Sequence, residues 1–78
     1  QAPGQAYSNQ GSHILAAERF AAIVEADPLA HYAHFGLGLS RARLGDIRAA
    51  RRHLRMAVFL KPDSDDYQRA LARLGDAA

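Results

Sequence analysis

The sequence predicts an all-α chain of about four antiparallel helices, and three observations carry that expectation. Apolar residues recur at three- and four-residue intervals along most of the chain, as one face of a helix requires. Strand signals are missing: no run of β-branched residues alternates with polar ones, and threonine is absent. The breaks between periodic segments span only a few residues and hold proline, glycine or aspartate, so consecutive helices must fold back on one another.

The elements follow in order. Residues 1–10 carry three glutamines together with Pro3 and Gly4 and are expected to be flexible, or the remnant first helix of a truncated unit. Ser12, after Gly11, is expected to cap the first helix; Ala16, Phe20, Ile23 and Val24 form its apolar face, and Asp27-Pro28 closes it. A second helix should start near Leu29 or Ala30 and run to Leu44, where Gly45 supplies a left-handed turn. Asp46 then caps a third helix with the stripe Ile47, Ala50, Leu54, Ala57 and Val58, ended at Lys61-Pro62 because a residue before proline avoids the α region. Asp63 or Ser64 caps a fourth helix carrying Tyr67, Ala70, Leu71 and Leu74, with its end expected at Gly75.

Seventy-eight residues make one domain at most, close to the size below which a single core rarely suffices. Much of the apolar content is alanine, so the core should be thin. The absence of cysteine excludes disulfides, thiolate metal sites and a cysteine nucleophile. The chain lacks an initiator methionine and is expected to be a piece of something longer. With no long apolar run and no leader pattern, a soluble, cytoplasmic protein is expected.

The net charge of +2 is too small to argue for nucleic acid. Its distribution is uneven, since residues 41–61 hold seven basic residues against Asp46 alone. Nine of the ten basic residues are arginine.

Comparing the helix interiors brings out an internal repeat. Pro28 and Pro62 lie 34 residues apart, as do Gly11 and Gly45, Ala16 and Ala50, Phe20 and Leu54, and Ile23 and Ala57. On these residues the chain resembles the tetratricopeptide repeat family. Residues 31–64 match one full unit: Leu37-Gly38 in its first helix, Gly45-Asp46 at its turn, Ala50, Leu54 and Ala57 in its second helix, and Pro62 as terminator. Residues 11–28 match the second helix of the preceding unit, with Gly4 and Tyr7 a possible trace of its first, and residues 65–78 match a C-terminal capping helix. His34 and Arg41 stand where the family usually has aromatics, which implies a looser core there. The resemblance implies a short solenoid of helical hairpins whose function lies on its surface.

No catalytic constellation emerges, and no enzyme activity or cofactor is expected. Gly36-Leu37-Gly38 lacks the preceding strand, third glycine and downstream acid of a dinucleotide site. Gly38 reads as a helix-contact residue, whereas Gly36 has no such warrant and should cost its helix about 1 kcal/mol relative to alanine. His31 and His34 share a helical face but have no acid or cysteine in register to complete a metal site, so packing is their default role. Ser12 and Ser64 read as caps and Ser40 as a mid-helix serine. Asp65 and Asp66 sit in a first helical turn, where they favour the helix dipole.

The resemblance places Tyr32, Phe35, Leu39 and Ala42 in a concave groove, with Arg43 at its edge and Arg69 and Arg73 extending the same surface. An apolar strip edged by arginines suits a peptide or helical segment with an acidic end. The same strip could instead mediate self-association or be buried internally, and because so few repeats bury little surface, a homodimer or a longer array is expected. The family members that clamp chaperone C-termini are disfavoured, since the matching positions here are Gln1, Gln5, Gly36, Asp66 and Ala70. An alternative surface is the stripe Arg48, Arg51, Arg52 and Arg55 with Phe59 alongside, open to nucleic acid or an acidic partner, or simply a solvated face. No membrane partner is expected.

Overall fold

The 34-residue spacing and short turns resolve, in a computed structural model, into four α-helices joined by three tight connections. The structure describes residues 2–77, with side chains over residues 10–75. The helices are α1 (Ala2–Ala26), α2 (His31–Arg43), α3 (Ile47–Leu60) and α4 (Asp65–Ala77), and no strand occurs among the described residues. Helix α2 packs between α1 and α3, while α4 rests mainly on α3 and touches α2. His34 meets His53, and Gly38 lies against Ala50 and Leu54, a register in which α2 and α3 run antiparallel.

The turn chemistry follows the sequence. Gly45 adopts φ 88°, a conformation that side-chain-bearing residues rarely take, and lets the chain leave α2. The Asp46 carboxylate accepts a hydrogen bond from the Ala49 N–H at 3.2 Å and so caps α3. Of the two residues considered for the fourth cap, Ser64 is the one whose hydroxyl accepts from the Tyr67 N–H, at 3.2 Å. Helix α3 stops at Leu60, two residues short of Pro62.

Two boundaries differ from expectation. Ser12 lies inside α1, which begins at Ala2, so the segment expected to be flexible or a separate remnant continues the first helix; Gln1 lies outside the described residues. Pro3 falls in the first turn, where its missing N–H has no helical partner to lose. An exposed glycine such as Gly11 weakens a helix by about 1 kcal/mol without breaking it. For the same reason α4 passes through Gly75 to Ala77. The long α1 makes the molecule extended: its radius of gyration is 12.8 Å, against about 11.5 Å for a compact chain of this length.

The core is thin, and alanine builds most of it. Ala17, Ala30, Ala33, Ala50 and Ala57 are buried with Leu37, Leu54, Tyr67 and Leu74, and Leu54 is the large residue most completely enclosed. Alanine contributes little area, so stability depends on close approach of the helix backbones. The glycines of α2 serve that approach. A Cβ on Gly38 would stand 2.8 Å from Leu54 Cγ, which bears out its reading as a helix-contact residue. Gly36, read as unwarranted, has a packing reason as well: its Cβ would meet the Phe20 ring of α1 at 2.5 Å. Helix α2 thus presents one glycine to α1 and one to α3.

Candidate functional site

The strip expected on α2 divides into exposed and half-buried residues. Tyr32 is 55% exposed and Leu39 37%, seven residues apart on one helical face. Phe35 between them is half-buried, its ring stacked on that of Tyr67 with centroids 4.5 Å apart. Phe35 and Ala42 also pack against the cluster of Ala50, Leu54 and Leu74, so they belong to the core as much as to the surface. Tyr67, read from sequence only as a core residue of α4, is therefore the floor beside the strip. It is held there by the Ser64 cap and by a 2.7 Å hydrogen bond between its hydroxyl and His31 Nδ1.

The flanking arginines are not equivalent. Arg43 and Arg73 are exposed, whereas Arg69 donates from Nη2 to Asp66 at 2.9 Å within the first turns of α4. Both partners of that pair are largely solvated, so it adds little stability, but it reduces the positive charge that Arg69 offers a ligand.

The four arginines of α3 gather on its outer side. With Met56 and Phe59 they line one shallow depression, all six side chains projecting from a single helix. Arg48, Arg52 and Arg55 are exposed and Arg51 is half-buried, its Nη2 enclosed without a hydrogen-bond partner. Met56 is 41% and Phe59 78% exposed. A second groove, about 420 Å³, opens between α1, α2 and α3 and is lined in part by Glu25, Arg41, Asp46, Arg52 and His53. Its charges are mixed in sign, so it favours neither anion nor cation.

His34 of α2 and His53 of α3 form a pair across the two helices. His34 is 5% exposed, and its Nε2 lies 2.8 Å from the Pro28 carbonyl oxygen, an acceptor only, so that nitrogen donates. In the neutral ring His34 Nδ1 is then bare, and with that tautomer the 3.3 Å contact between the two Nδ1 atoms is assigned His53 as donor and His34 as acceptor. The rings stack with centroids 5.5 Å apart, filling the position where an aromatic was missed. The antiparallel hairpin around Gly45 brings the two rings together, His34 standing eleven residues before the glycine and His53 eight after it. Burial, and then the charges of Arg52, His34 and Arg41, hold the His53 pKa below its ordinary value.

Among the described residues, no group of three or more histidine, cysteine or acidic side chains is placed to hold a metal ion. Nor is any described helix long and apolar enough to cross a membrane. Neither the protein-family models nor the curated proteins compared with this sequence give a match.

Proposed function

We propose that this chain is a non-catalytic protein–protein interaction module of tetratricopeptide-repeat type, which receives a peptide or helical segment along α2. The observation that carries the reading is the pair Tyr32 and Leu39. These large apolar side chains stay exposed on a face whose intervening residue, Phe35, is anchored to Tyr67. A rigid floor under an exposed apolar strip suits a segment with apolar anchors at helical spacing, and Arg43 and Arg73 suit an acidic residue at its edge. The repeat assignment draws support from burial: Leu37, Gly38, Ala50, Leu54 and Ala57, matched above to the packing positions of the full unit, are all buried. Ser64 is engaged in a cap, and His31 and His34 are engaged in hydrogen bonds.

Selection from a displayed peptide library, with a Tyr32→Ser/Leu39→Ser double variant as counter-selection, tests this. Peptides with apolar residues at i, i+3/i+4 spacing should be enriched by the parent chain and released by the variant, while helicity and Tm stay unchanged. Enrichment that the double variant retains would refute the assignment of the strip. A chain that light scattering finds dimeric, with the dimer lost in the same variant, would make a second copy the occupant.

A further inference from the structure

The outer face of α3 is a separate surface, and it carries an unanswered charge. Arg48, Arg52, Arg55 and Phe59 fall within about 60° of arc, on the side of the helix away from Ala50, Leu54 and Ala57. The stripe from Arg48 to Phe59 is about 16 Å long. Among the described residues the ion pairs are Lys61–Asp63 and Arg69–Asp66, and none of the four α3 arginines belongs to one. Their like charges at i, i+3 and i+4 repel one another. Arg51, which lines the same depression, has a guanidinium nitrogen enclosed without an acceptor. The exposed guanidinium groups of Arg48, Arg52 and Arg55 are the ones a ligand carboxylate can reach, most strongly through a two-point contact.

We propose that this face docks an acidic amphipathic helix of a protein partner, its carboxylates opposing the arginines and an apolar residue covering Phe59 and Met56. Carboxylates at i, i+3/i+4 and i+7 of a helix repeat at the same interval as the arginines of α3, so two helices laid side by side pair their charges in register. Phe59 is 78% exposed and Met56 41%, giving the occupant an apolar anchor beside the charges. A nucleic-acid strand fits less well. The basic track lies on one helix and contacts few phosphates, and the exposed Asp63, Asp65 and Asp66 follow directly after it in the chain. A continuous polyanion running past Phe59 meets that negative charge, whereas a helix with patterned charge can place neutral residues there.

Fluorescence anisotropy with two labelled probes tests the proposal: a helical peptide of about 20 residues with glutamates and leucines on one face, and an oligothymidylate of similar length. The peptide should bind the 78-residue chain saturably. Arg52→Ala/Arg55→Ala should weaken it at least tenfold at low salt, and Phe59→Ala severalfold with the salt dependence retained. These side chains are exposed, so circular dichroism should report an unchanged fold in each variant. In the Tyr32→Ser/Leu39→Ser background, which removes the α2 strip as a second site for the same peptide, binding with this arginine dependence should persist; loss of all binding there would move the site to α2 and overturn the proposal. Failure to saturate at millimolar protein, or indifference to Phe59→Ala, would also overturn it. Oligothymidylate binding as tight as the peptide's, with the same arginine dependence, would replace it with a nucleic-acid surface.

Discussion

Gly38→Ala sets helix propensity directly against packing. Replacing a glycine inside a helix with alanine is favoured by about 1 kcal/mol. Against that gain, the new Cβ would stand 2.8 Å from Leu54 Cγ, 3.0 Å from Leu54 Cδ2 and 3.2 Å from the Ala50 carbonyl oxygen. Leu54 is 1% exposed and the Ala50 oxygen belongs to the α3 backbone, so neither can swing into solvent. Helix α3 must move back instead, and overpacking of this kind costs about 1–3 kcal/mol. Two of the three contacts are at or below 3.0 Å, so the upper part of that range applies, leaving a net loss of about 1–2 kcal/mol. In a domain of this size each kcal/mol moves Tm by about 4–8 °C. Gly11→Ala is the control, because nothing lies within 4 Å of its Cβ and the propensity gain should appear undiminished as a Tm higher by about 4–8 °C. Gly36→Ala should fall between the two, since the half-buried Phe20 ring can rotate aside. Thermal unfolding followed by far-ultraviolet circular dichroism reads all three. If Gly38→Ala raises Tm as Gly11→Ala does, α2 and α3 do not approach as described and the glycine is merely tolerated.

The remaining predictions concern caps and pH. Ser64→Ala and Asp46→Ala each remove the acceptor for one helix-start N–H and should each lower stability by about 0.5–2 kcal/mol in denaturant titration. Ser64→Asp should restore most of the first loss, and an unchanged midpoint for either alanine variant would show that the cap is dispensable. His53 is held below its ordinary value of 6.5, so the unfolded chain takes up this proton before the folded chain does. Its contribution should be level above that pH, fall as pH drops through 6.5, and level off again below the folded-state pKa. Of the groups around it, Arg52, Arg41 and His34 oppose the proton, while Asp46 and Glu25 line the same groove. His53→Gln should flatten the Tm–pH profile in that window, and a profile that keeps its slope would assign the effect to another group.

The two candidate surfaces were legible to different degrees. Tyr32, Phe35, Leu39 and Ala42 share a face by spacing alone, but spacing does not say which of them a neighbouring helix covers. Phe35 and Ala42 proved to be shared with the core because Tyr67 and the Leu54 cluster reach them. A Phe35→Ala test of binding is therefore confounded with stability, and Tyr32 and Leu39 are the cleaner probes. The four α3 arginines were visible as a stripe, but the enclosed Nη2 of Arg51 was not, because it depends on where the surrounding atoms fall.

Local rules account for what the sequence determined by itself: helical class, the Gly45 turn, the Asp46 cap and the end of α3 before Pro62. Each rests on residues within four positions of one another, where backbone sterics and hydrogen bonding decide the outcome. Ser12 and Gly75 were misread by the same local logic, since a cap-like serine or an exposed glycine shifts a helix end by about 1 kcal/mol, and the rest of the helix can outweigh it. Tertiary structure alone decided the purpose of Gly36, the stacking of His34 on His53 and the division of the α2 strip. These depend on which helix arrives opposite a given face and how closely, a property of side-chain volumes on both partners.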